Sequence, residues 1–142
     1  MASATNSRFD SLQLVLRLVI LALAGLLIGY HTYTLFDLYI SPGSSTHTGF
    51  EYLQSALRAA IAISLSCVLL GVRGGLWLMW ICIGSLVGTQ LWAHLTDFQV
   101  DFTEGRHPLS YFMGFLFPTL ITLATIGIRR RKAQIASSEH VG

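Results

Sequence analysis

Four stretches of the chain run almost free of polar residues over lengths that match a lipid bilayer. They cover residues 12–36, 54–73, 76–96 and 109–128. A run of about 20 apolar residues at a helical rise crosses the ~30 Å hydrocarbon layer, and a helix pairs all its own backbone groups where no water can. The pattern predicts an all-α integral membrane four-helix bundle over residues 12–128, between an N-terminal tail at 1–11 and a basic C-terminal tail at 129–142. No second domain is expected.

Composition agrees, with 53% hydrophobic and only 11% charged residues and a mean hydropathy of +0.61. The net charge of +2 carries less information than its distribution. Arg8 precedes the first span, Arg73 lies between the second and third, and Arg129, Arg130, Arg131 and Lys132 follow the fourth. Asp37 and Glu51 flank the first long loop, while Asp97, Asp101 and Glu104, with a lone Arg106, occupy the second. Basic flanks resist translocation, so a multi-pass protein with both termini cytoplasmic is expected, in a bacterial inner membrane. The bilayer is its first partner. The basic cluster reads first as a stop-transfer anchor, and anionic headgroups attract such residues by about 1 kcal/mol each. Arg17 reads as a side chain whose guanidinium snorkels to the headgroups. The first span lacks a small-residue cleavage site before Tyr30, which favours a retained helix over a signal peptide.

Small residues suggest how the helices meet. Gly25 and Gly29 stand four apart in the first span, as do Gly84 and Gly88 in the third, and Ala56, Ala60, Ser64, Cys67 and Gly71 share a narrow arc of the second. In lipid such stripes let backbones approach and gain dispersion contacts, so three helix-packing faces are expected. The two glycine pairs, together with Gly71-Val72-Arg73 and Gly127-Ile128-Arg129, fall in the same order in each half of the chain. That order suggests two tandem helical hairpins. Pro118 predicts a kink in the fourth span, with Thr119 or Thr122 satisfying freed carbonyls. Cys67 and Cys82 read as buried small residues at similar depth, and Trp77 and Trp80 as an interfacial belt needing no further role.

Polar residues inside the spans collect toward the end with the long loops. His31, Arg58, Gln90, His94 and Asp97 fall at comparable depth, on faces opposite the small-residue stripes of their own helices. A charged group at depth costs about 2.5–3.5 kcal/mol on insertion scales unless paired, which makes these five the candidate site. His31 and His94 are the metal-ligand candidates, able in principle to supply axial haem ligands or to hold a transition metal. A quinone or lipid-headgroup pocket is the related reading, with Arg58, His94 and Asp97 beside Tyr30, Tyr33 and Trp92. Structural polar contacts on a wet rim are the plainer one. No Ser-His-Asp order, phosphate-binding loop, dinucleotide fingerprint or basic groove for nucleic acid occurs, so hydrolase, nucleotide-binding and nucleic-acid readings are set aside. The favoured expectation is a non-enzymatic accessory or assembly subunit that associates with other membrane protein subunits. A haem-, metal- or quinone-binding redox component is the alternative, and a small transporter or oligomeric channel a third.

Overall fold

The computed structural model describes residues 2–40, 49–96, 107 and 109–139. All of its regular structure is helical: α1 (Ala2–Ile40), α2 (Gly49–Leu69), α3 (Gly75–Leu95), α4 (Leu109–Phe112), a 3-10 turn (Met113–Phe115) and α5 (Leu116–Glu139). Four helical stretches, Ser11–Ile40, Gly49–Leu69, Gly75–Leu95 and Leu109–Arg131, are long and apolar enough to cross a membrane. The chain is a multi-pass membrane protein built as a helical bundle. Its two tails continue the spans as helix, so the tail boundaries at residues 11 and 129 do not coincide with helix ends.

Periodicity decides what faces inward. Among the described side chains of α1 the buried residues are Ile20, Ala24, Leu27 and His31, spaced at one face of a helix. They meet Ile61, Ser64 and Leu65 of α2, Met79, Ile83 and Leu86 of α3, and Ile121 and Ala124 of α5. The outside is as greasy as the inside. Leu14, Leu18, Leu21, Leu26, Ile63, Ile81 and Leu123 are each more than half exposed, a surface that water penalises at roughly 25 cal/mol per Å² and that lipid does not. α2 packs on both α1 and α3, and α1 packs along α5.

The second span ends four residues earlier than the hydrophobic run suggests, because Gly71 stops it. Its φ of +76° lies in the left-handed region. The Gly71 N–H donates to the Val68 carbonyl at 3.0 Å and the Val72 N–H to that of Cys67 at 2.9 Å, the paired bonds of a Schellman cap. α3 then starts directly against the end of α2. A Cβ on Gly75 would lie 2.9 Å from the Val68 nitrogen and 3.0 Å from the Cys67 carbonyl carbon, so only glycine fits.

Two expectations are corrected. The glycine pairs do not pack within the chain: a Cβ on Gly25, Gly29, Gly84 or Gly88 would meet nothing within 4 Å. Each helix has one inward face, and on α1 the face that buries His31 turns the glycines outward. Only part of the α2 stripe behaves as expected, with Ser64 buried, Ala60 against the core and Ala56 exposed. Trp80, in turn, is no free belt residue. It stacks on Phe115 with ring centroids 5.9 Å apart, and its indole N–H donates to the Thr122 hydroxyl at 2.9 Å, tying α3 to α5. Cys67 is half-buried and Cys82 buried, both as free thiols.

The distortion expected at Pro118 appears one turn earlier, as the 3-10 turn at Met113–Phe115. Proline lacks the N–H that would reach the carbonyl four residues back, and its ring crowds that same carbonyl. The carbonyl that loses its helical donor is therefore that of Gly114. Thr122 donates to the Pro118 carbonyl at 2.8 Å and Thr119 to that of Phe115 at 2.7 Å, so both threonines bond one turn back without reaching Gly114.

Candidate functional site

At the end of the bundle nearest the long loops, the four spans stand apart around a cavity of about 800 Å³. Its volume lies in the ~300–1,000 Å³ range of small-molecule sites. α1 supplies Tyr30, His31 and Thr34, α2 supplies Arg58 and Ile61, α3 supplies Leu86 and Gln90, and the last span supplies Ser110, Tyr111 and Phe117. Polar groups gather toward the loops, and Leu26, Leu27, Ile83 and Val87 line the wall with them.

The helix break shapes this wall. His107 caps α4, its Nδ1 accepting the Leu109 N–H at 3.3 Å and its carbonyl the Ser110 N–H at 2.9 Å. The short α4 then carries Tyr111 inward, and the 3-10 turn brings Met113 and Gly114 onto the cavity before the helix resumes. Tyr111 is 5% exposed and His31 is also 5% exposed. Among the described residues neither the Tyr111 hydroxyl nor the His31 Nδ1 has a hydrogen-bond partner. A buried polar atom left unpaired costs about 1–3 kcal/mol, so two of them bordering one cavity ask for an explanation.

Arg58 completes the group. It lines the same cavity as His31, and among the described residues the cavity wall contains no Asp or Glu. All three side chains can donate, His31 through the tautomer with a proton on Nδ1. The arrangement is a set of donors plus one permanent positive charge.

Of the five residues singled out from the sequence, His31, Arg58 and Gln90 line this cavity. His94 does not. It packs edge-on against Tyr111, with ring centroids 5.8 Å apart, and so supports the wall from behind. Asp97 lies outside the described residues. Among the described residues no three of His, Cys, Asp and Glu come together as a metal would require, and His31 and His94 do not share the cavity. Tyr30 borders the cavity, whereas Tyr33 and Trp92 are exposed away from it. Tyr111 was not singled out, because a tyrosine two residues into a span reads as an ordinary interfacial anchor.

A polar contact joins α2 to α3. Gln54 Nε2 donates to the Thr89 hydroxyl at 2.8 Å, which itself donates to the Leu86 carbonyl at 2.9 Å. No family model, curated protein or solved structure matches the chain.

Proposed function

We propose that this protein is a membrane-embedded binding protein for an amphiphile with an anionic, acceptor-rich head. The loop end faces the outer side and both termini the cytoplasm, so the ligand enters from the outer leaflet. One observation carries the reading: among the described residues the His31 Nδ1 and the Tyr111 hydroxyl are buried without partners, and the cavity they share with Arg58 is lined by no Asp or Glu. Such a donor set is complementary to a carboxylate or phosphate head, and hydrogen bonds from a guanidinium to such a group are the strong, often bidentate kind. The leucine, isoleucine and valine wall suits the start of an acyl or prenyl chain.

The test is photo-crosslinking of the purified protein with a diazirine-bearing long-chain fatty acid, and with the matching fatty alcohol as control. Labelling of α1 or α4 by the acid, lost in Arg58→Gln and Tyr111→Phe, is the expected result. Equal labelling by acid and alcohol, or labelling unchanged in both variants, refutes the anionic head. Competition by decylubiquinone but not by oleate would replace it with a quinone.

A second reading, an accessory or assembly subunit of a larger membrane complex, rests on a different observation. Gly25, Gly29 and Gly88 lie exposed with open space at each Cβ position, which leaves room for a neighbouring helix to approach. Isolation from native membranes with a mild detergent tests it; recovery of a lone monomer counts against it.

A further inference from the structure

At the opposite end of the bundle, α1 and α5 part around a second crevice of about 560 Å³, closed beneath by the turn between α2 and α3. Arg17 comes to it from the first span and Arg129 from the last, while Leu21, Val72, Leu76 and Ile128 form apolar walls. Both arginines are exposed, and among the described residues no Asp or Glu lines the crevice. We infer that this crevice is a binding site for an anionic phospholipid of the leaflet at the turn end, with Arg17 and Arg129 sharing its phosphate. The inference is independent of the reading of the loop-end cavity.

Depth supports it first. The first apolar run begins at Leu12, and Arg17 stands five residues inside it, roughly 8 Å along the helix, within reach of the headgroups for a side chain that snorkels. Arg129 directly follows the last apolar run, which ends at Ile128. Both guanidinium groups therefore sit at headgroup level, and the leucine and valine walls below them lie at the level of acyl chains. A phospholipid has that same order of parts.

Charge supports it second. Two like charges at one crevice repel each other, and nothing acidic among the described residues of the wall relieves them. A phosphate between them turns one repulsion into two attractions, and guanidinium groups match its oxygens bidentately. A zwitterionic choline head brings its own cation against the same pair. The site is thus selective for net charge and not for phosphate alone. Occupied, it ties α1 to α5 where the bundle is held by those two helices and one short turn. Its lipid acts as a fifth packing element at this end.

The experiment measures the thermal midpoint of delipidated protein in dodecylmaltoside micelles on addition of phosphatidylglycerol, phosphatidylcholine or inorganic phosphate. Expected is a rise with phosphatidylglycerol alone, at a half-saturating concentration at least fivefold higher in Arg17→Gln/Arg129→Gln. Arg130→Gln removes one positive charge from the basic run that holds Arg129 but outside the crevice, and is expected to leave that concentration unchanged. Both arginines of the double variant are exposed, and retained helicity by circular dichroism shows that its fold is intact. An equal rise with phosphatidylcholine or with inorganic phosphate overturns the inference. So does an unaltered response in the double variant, or an equal loss in Arg130→Gln, which would mean diffuse attraction to the whole basic run.

Discussion

Gly75→Ala and Gly88→Ala are the same substitution on the same helix, and the structure assigns them opposite signs. At position 75 the new methyl would lie 2.9 Å from the Val68 nitrogen, 3.0 Å from the Cys67 carbonyl carbon and 3.2 Å from the Cys67 Cβ. Two of those atoms are backbone, held by the hydrogen bonds that end α2, so they cannot swing aside as a side-chain tip would. Forcing a methyl into packed structure costs about 1–3 kcal/mol. Alanine's helix preference recovers only part of that at the first residue of α3, leaving a net loss of about 1–2 kcal/mol. At position 88 a Cβ meets nothing within 4 Å, so replacing glycine in mid-helix is expected to stabilise by about 0.5–1 kcal/mol. The two variants should differ by about 2 kcal/mol, or roughly 30-fold in the folded-to-unfolded ratio. Reversible unfolding in dodecylmaltoside with added dodecyl sulfate, followed by circular dichroism, measures this on monomeric protein. Shifts of the same sign would refute the close approach at Gly75, the open surface at Gly88, or both.

Three further outcomes follow from other contacts. Thr122→Val removes the acceptor of the Trp80 indole N–H and is expected to lower stability by about 1 kcal/mol, with a shift in tryptophan emission that Thr125→Val does not produce. Pro118→Ala restores the missing backbone donor to the turn that now holds Met113–Phe115 as a 3-10 segment. A continuous α-helix then rotates Tyr111 relative to His31, so spin-label distances between α1 and α4 should change and fatty-acid crosslinking should fall several-fold. His94→Ala takes away the ring that rests on Tyr111 without entering the cavity; weaker crosslinking that His94→Phe restores is expected, and loss in both variants would mean that His94 acts chemically.

Span number and span position could be read directly, because a bilayer demands long runs such as Leu12 to Phe36 whatever the tertiary structure. The end of α2 could not be read from hydrophobicity, since Leu69, Leu70 and Val72 continue the greasy run through a turn set by the backbone of Gly71. The inward faces were half legible. Helical spacing correctly set His31 opposite Gly25 and Gly29, but spacing alone cannot say which of two opposed faces turns inward, and here the histidine is inside. Arg58 and Gln90 stood out as polar residues within apolar runs, and both line the cavity. Tyr111 was hidden by its ordinary position near a span end. Its burial depends on the break before Pro118, and that is a property of three-dimensional packing.

The five residues between Leu69 and Gly75 also bear on how the chain moves within its membrane. A link that short, stapled by Gly71 and pressed against Gly75, leaves the two helices no slack to part once the turn has formed. The second and third helices therefore behave as one U-shaped unit. A push on either arm is felt by the other.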